Sequence, residues 1–453
     1  MTGRAAWSRR TFLKGAAGAL AGAALGGCDS RPPEEPGKVT LTFLNYATPE
    51  FLRLYADLIA EFERTHPRIR IRQITSLGDA GYDTKLLTMI AGGIPPDVFH
   101  VTQANFPFYA IKDVCLSIDE FMGKGGGPSS SVSADELYEP VVKGMRYNGR
   151  LLGLPSDLSP IVMLYNQDWF DQCGVPYPTE NWNWDEFLIK CKALTRDANN
   201  DGEPEVFAIM NFTGTAGEQQ RPAYNRWPAW VWMNGGDLFT PDMSRCLMDT
   251  PESIGGMEFF ADLSLRHRVS PRPGENLGQN GQDLFATKKL AMIPDSRYVY
   301  KKYCAGPKRN GLPFRWDCAP MPRGRELATT FIWGGNCILK STRYPEECWE
   351  FLNFIAGPAG AAINLAGGNA LPVYRAAAEA EVLGRKNPNV PKNDRCYLDA
   401  IEYGRIAPYP AQFAEFGQAM DAFDDAFLGH KSMADACREF AAEVNAALKI
   451  EVS

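Results

Sequence analysis

Val39-Thr40-Leu41-Thr42-Phe43-Leu44, then Phe51, Tyr55, Leu58, Ile59 and Phe62, then Ile69-Arg70-Ile71-Arg72, read as strand, helix, strand. Apolar and polar residues alternate in the first and last runs, whereas the middle one recurs every three to four residues until Pro67. A second helical pattern, with Leu86, Leu87, Met89 and Ile90 inward, stops at Gly92-Gly93 and Pro95-Pro96, because glycine accepts a left-handed cap and proline cannot continue a helix. Asp97-Val98-Phe99-His100-Val101 is the third strand. The βαβαβ order predicts an α/β fold with a mostly parallel sheet flanked by helices, and ligands beyond the carboxyl ends of its strands. Tyr46 and Thr48 follow the first strand, Asp79 the second, and Gln103 and Asn105 the third, which makes all five candidate ligand contacts. Turn formation is the competing role for the Asp and Asn among them.

Upstream of this unit, Ser8-Arg9-Arg10-Thr11-Phe12-Leu13-Lys14 precedes an Ala/Gly-rich apolar run that ends at Leu25-Gly26-Gly27-Cys28. Paired Arg9 and Arg10 ahead of a mildly apolar segment read as a twin-arginine export signal, residues 1–27, and Cys28 after small residues reads as the lipidated start of the mature chain. The apolar run is shorter than the roughly 20 residues that span a bilayer. A lipid anchor on Cys28 is therefore expected, at the periplasmic or extracellular face of the cytoplasmic membrane. Residues 28–37, with Arg31-Pro32-Pro33-Glu34-Glu35-Pro36, suit an extended tether.

The 453 residues, 45% of them hydrophobic, suffice for two or three lobes with their own cores. Acidic residues outnumber basic ones, 54 to 47, and the signal takes four positive charges with it when removed, so nucleic acid is not an expected partner. Ten cysteines besides Cys28 show no C-x-x-C or zinc spacing; disulfides and buried thiols are both compatible with an exported chain. Asp197, Asn199 and Asp201 stand at alternate positions ahead of Gly202, like the first half of a calcium loop, yet position twelve is Ala208 instead of a bidentate glutamate. A polar turn is the alternative there, and no cofactor is expected. Nucleophile-elbow, zinc-helix and phosphate-loop patterns are missing from the sequence, and its four histidines are scattered, so no catalysis is expected.

Further segments appear in order: Ala91-Gly92-Gly93-Ile94-Pro95-Pro96-Asp97-Val98, Asn148-Gly149-Arg150-Leu151-Leu152-Gly153-Leu154-Pro155, Tyr165-Asn166-Gln167-Asp168-Trp169-Phe170, Trp182-Asn183-Trp184-Asp185-Glu186-Phe187, Met233-Asn234-Gly235-Gly236-Asp237 and Trp333-Gly334-Gly335-Asn336. Together they resemble the solute-binding proteins of carbohydrate ABC importers, the group that includes the maltose-binding and glycerol-3-phosphate-binding proteins. The resemblance implies a monomer of two α/β lobes on a discontinuous hinge, 38–155 with 296–340 and 156–295 with 341–453. It puts the crossings near 155–161, 292–296 and 340–345. A carbohydrate or polyol would bind between the lobes and pass to the permease subunits of an ABC transporter.

Sugar recognition needs aromatic faces against the ring and planar polar groups for its hydroxyls. By resemblance, Trp230 and Trp232 lie on a cleft helix, Trp333 and Gly335 at a strand exit, and Asp157 on the first crossing. Core packing is the alternative for the tryptophans, and a hinge hydrogen bond or helix cap for Asp157. Ser296-Arg297 stands where relatives often carry a glycine and a stacking tryptophan, so Arg297 is a candidate partner for an acidic or vicinal-diol ligand. Arg395 falls where phosphate-binding relatives place an arginine. Two other classes compete: an exported carbohydrate-active enzyme, which needs a carboxylate pair, and a solute sensor for a membrane signalling protein.

Overall fold

The computed structural model describes residues 37–46, 49–76, 79–122, 132–198, 204–210, 224, 226–273, 275, 279–305, 311–367, 370–384, 391–410 and 412–449. The expected signal, the tether as far as Pro36, Thr48, Asn199 and Asp201 lie outside them. Twelve strands occur among the described residues: β1 (Val39–Tyr46), β2 (Ile69–Ser76), β3 (Val98–Thr102), β4 (Arg146–Tyr147), β5 (Arg150–Leu151), β6 (Leu154–Pro160), β7 (Val162–Asn166), β8 (Met292–Asp295), β9 (Trp316–Ala319), β10 (Thr329–Ile338), β11 (Leu371–Pro372) and β12 (Gly404–Arg405).

The amino-terminal βαβαβ unit forms as its periodicity predicts. β1 runs parallel to β2, from Val39 beside Ile69 to Tyr46 beside Ser76, and parallel to β3 at Phe43 and Val98. The helix Pro49–Thr65 buries Tyr55, Leu58 and Phe62. In the helix Asp79–Ala91 the inward stripe is Tyr82 and Leu86, while Leu87 is 40% exposed. This corrects the expected face: residues four apart share a stripe, and Leu87 lies a residue off it.

The expectation of a mostly parallel sheet holds only for this half. The large sheet has the order β11-β6-β10-β3-β1-β2, in which β10 is antiparallel to both β3 and β6, and β11 is antiparallel to β6. Only β12 extends it in parallel, on β10. A second sheet, β8-β7-β9, is antiparallel throughout. Direction depends on where the chain re-enters a sheet after a long excursion, which alternation of side chains does not record.

β6 ends at Pro160 and β7 begins at Val162, so Ile161 alone carries the chain from one sheet to the other. Alternation along β7 then divides its side chains: Val162 and Leu164 join the core of the large sheet, and Met163 and Tyr165 join the core built on Trp182, Trp227 and Trp230. This passage between sheets lies at the end of 155–161, the span given by resemblance for the first crossing between lobes. The other expected boundaries shift. β9 lies in the second sheet, although 296–340 was assigned by resemblance to the first lobe. The helix Pro345–Ala356 packs on β6 and β10 and shares the first core with Leu371 and Tyr397, although 341–453 was assigned to the second lobe. The chain rejoins the second core through Phe416, Phe423 and Phe440. A helix with a strong apolar stripe specifies that it must be covered, and leaves open by which sheet. No helix among the described residues is long and apolar enough to cross a membrane.

Candidate functional site

The carboxyl ends of β1 and β3 bring Tyr46, Gln103 and Asn105 together. β10 adds Trp333, next to Gly334, which pairs with Thr102 at the end of β3. Tyr46 stacks on Tyr82 with centroids 4.3 Å apart and meets the His100 ring edge-on at 5.5 Å. The Asn105 amide donates to the Tyr46 hydroxyl at 3.3 Å and to Asp83 at 3.0 Å, while its oxygen accepts the Thr102 N–H at 2.8 Å. Turn chemistry and site geometry therefore meet in one side chain. The Gln103 oxygen accepts the backbone N–H of Trp333 at 2.9 Å, which ties the loop after β3 to β10. The indole N–H of Trp333 is buried with no acceptor among the described residues, a donor whose desolvation they leave uncompensated. Asp83, not singled out in the sequence, accepts from both Asn105 and the Tyr109 hydroxyl; its position one residue after inward Tyr82 was the only signal. Asp79 opens its helix at the end of β2.

Asp157, on β6 opposite Gly334 and 4% exposed, accepts from Ser156 Oγ at 2.8 Å and from the Tyr298 hydroxyl. Tyr298 follows β8, so this bond joins the two sheets beside the crossing. His100 completes the cluster, with Nδ1 2.9 Å from the Tyr55 hydroxyl. A Cβ on Gly334 would lie 2.9 Å from His100 Cε1 and 3.4 Å from Asp157 Oδ2, so glycine is what lets β10 pass close to both. Burial pulls the imidazole down to about 4 despite the Asp157 charge, and the ring is neutral at neutral pH. Burial raises the Tyr298 hydroxyl, which keeps it a donor. Asp157 is thus engaged as a hinge hydrogen bond. Gly335 marks a close backbone approach: its Cβ would meet the Leu154 carbonyl at 2.8 Å, where the β10–β6 register shifts.

In the second core, Trp230 is 1% exposed and its ring lies 5.6–6.0 Å from Trp184, Phe187, Phe259 and Phe260. It packs among aromatic rings instead of presenting a face to a ligand. The Trp232 indole donates to Asp237 at 3.0 Å beneath the Arg405 guanidinium, 5.6 Å from the ring centre. Ser296 donates its N–H to Asp295. The guanidinium of Arg297, 1% exposed, pairs with Asp394 at 3.2 Å over the Tyr300 ring at 4.8 Å. The acidic partner expected from a ligand is supplied by the protein. Arg395, the residue before the helix Cys396–Tyr403, is exposed and bonded to Asp399 in that helix's first turn, at 3.2 Å. Sequence reasoning passed over Arg226, which reaches Asp295 at 3.2 Å and the Pro294 carbonyl; Gln282 donates to the same carboxylate at 3.0 Å. Among the described residues, no group of three His, Cys, Asp or Glu side chains is placed to hold a metal ion.

The chain is 26% identical over 348 residues to an uncharacterized lipoprotein in the oleD 5′ region of Streptomyces antibioticus, across 74% of this chain and 70% of that one. Its fold is similar to the ABC substrate-binding protein Lmo0181 from Listeria monocytogenes, solved in complex with cycloalternan, with TM-score 0.77 and 23% identity over 91% of this chain and 100% of that one. It is also similar to the cyclic α-maltosyl-1,6-maltose binding protein from Arthrobacter globiformis, with TM-score 0.75 and 18% identity over 91% and 100%. These likenesses establish a two-lobed α/β binding-protein fold. Residues 48–362, most of the chain, match the model of one family, and the chain belongs to it: the bacterial extracellular solute-binding proteins.

Proposed function

We propose that the protein is a receptor anchored by lipid on Cys28 that binds a carbohydrate or polyol between its lobes and delivers it, chemically unchanged, to the permease of an ABC importer. The observation that carries the reading is the grouping of Tyr46, Gln103, Asn105 and Trp333 at the carboxyl ends of β1 and β3 in a chain of the solute-binding family. Aromatic faces and planar amides are the groups a sugar ring and its hydroxyls require. The structural relatives bind cycloalternan and cyclic α-maltosyl-1,6-maltose, which supports a saccharide, and the lipoprotein relative supports the anchor. In this reading the receptor works as a monomer and needs no metal or cofactor. Solute binds one lobe of an open form, contacts from the other stabilise closure, and the permease reads the closed form.

The test is a thermal-shift screen of sugars, polyols and sugar acids, followed by calorimetry with the best hit. Binding at about micromolar strength, roughly −8 kcal/mol, with one site per chain and recovery of intact ligand, is the expected result. Trp333→Ala and Asn105→Ala should each weaken it by about 1–3 kcal/mol, with ligand-free melting measured alongside. Trp230→Ala should instead lower ligand-free stability by about 3–5 kcal/mol. Steady conversion of the ligand to product would replace this reading with that of a carbohydrate-active enzyme.

A further inference from the structure

Cys318 on β9 and Cys396, the first residue of the helix Cys396–Tyr403, are 78 positions apart in sequence, and their sulfurs lie 3.0 Å apart. They are 1% and 3% exposed. The same segment is held to β9 at three more points: the Cys318 thiol donates to the Asn393 carbonyl at 3.0 Å, the Asn393 amide donates to the Cys318 carbonyl at 3.1 Å, and the Asn393 N–H donates to Asp317 at 2.9 Å. Two thiols held in register by flanking hydrogen bonds need approach by only about 1 Å to reach bonding distance. We propose that Cys318 and Cys396 are joined as a disulfide in the oxidising space outside the cytoplasm, stapling 393–396 to the second sheet.

The staple has a structural consequence. Residues 393–396 include Asp394, which holds Arg297 and accepts from Tyr300 at 2.6 Å just after β8. The helix that Cys396 begins packs against β6, β7 and β10, elements of both sheets. The covalent bond therefore fixes the carboxylate that neutralises a buried arginine beside the hinge. It also closes a long loop, which restricts the unfolded chain.

The chemistry requires a disulfide-bearing oxidant, either a thiol oxidase or oxidised glutathione. A thiolate of the pair attacks one sulfur of the oxidant's disulfide and releases the other as a thiol. The second cysteine, losing its proton, then attacks the mixed disulfide and releases the second thiol. Two protons and two electrons leave the pair, and the oxidant is reduced to two thiols. Burial raises both thiols in the folded chain, so exchange requires the helix Cys396–Tyr403 to open locally from β9 and expose the pair.

The proposal goes beyond solute binding and does not depend on it. The full chain is refolded in reduced and oxidised glutathione, quenched in acid, alkylated and digested. Peptides carrying Cys318 and Cys396 should be recovered joined, two hydrogens lighter than their sum, and should separate on reduction. Tm should fall by a few degrees in reductant for the wild-type chain, and Cys396→Ser should abolish that dependence. The variant also controls for Cys115 and Cys337, whose thiols hydrogen-bond each other elsewhere. Recovery of both peptides singly alkylated from refolded protein overturns the proposal, as does a reductant effect that survives in Cys396→Ser. Should Cys396→Ser not fold, the peptide map of the wild-type chain decides alone.

Discussion

His100 has an imidazole fully enclosed beside Tyr46, Tyr55 and Asp157, and burial lowers it from 6.5 to about 4. Between those values the unfolded chain binds a proton that the folded chain refuses. Its contribution is present in full above pH 6.5 and is lost as pH falls toward 4, by up to about 3 kcal/mol. Melting followed from pH 7.5 to 4.5 should fall along this window, and His100→Gln should flatten the fall; an unchanged slope in the variant would assign the acid sensitivity to other groups. Other single residues divide by what placed them. The position of Tyr46, Gln103 and Asn105 at strand ends was legible in the sequence because a strand's carboxyl end follows from its alternation. Trp230 and Arg297 were placed by resemblance. Their actual partners, an aromatic cluster and Asp394, come from distant segments that no local pattern names.

β10 is the element on which both site and hinge depend. It lies between β3 and β6, and its Trp333-Gly334-Gly335-Asn336 run meets Gln103, His100, Asp157 and Leu154. Adding a methyl at Gly334 or Gly335 requires neighbouring backbone or the His100 ring to shift, so Gly334→Ala and Gly335→Ala should each cost about 1–3 kcal/mol by overpacking. Urea denaturation reads that cost, and a variant as stable as wild type would show that β10 has room to adjust. The glycine pair could be noticed in the sequence, whereas the reason for it could not. It follows from the antiparallel neighbours β3 and β6, which arrive from remote parts of the chain.

For the whole molecule, the proposed export signal and lipid anchor fall within residues 1–28 and are tested apart from the fold. Cys28→Ala should release the protein from membranes or leave it unprocessed, read by fractionation and mass spectrometry of the amino terminus; a membrane-bound, fully processed variant would discard the lipid anchor. Replacing both Arg9 and Arg10 with Lys should block export, and normal export of that variant would transfer the chain to the general secretory route. Small-angle scattering with a bound solute should show compaction as the cleft shuts.

By itself the sequence determined the local order of strands and helices from Val39 to Thr102, the strand ends that carry Tyr46, Gln103 and Asn105, and, through ordered motifs, the family. Each of these depends on neighbours within a few turns of chain or on short contiguous segments. Tertiary structure alone decided the antiparallel half of the large sheet, the side of the hinge on which β9 and the helix Pro345–Ala356 pack, and the partners of Asp157, Arg297 and Cys318. Those contacts join residues dozens to hundreds of positions apart. Burial selects among the many pairings that such distances allow, and it acts only once the whole chain has collapsed around its two cores.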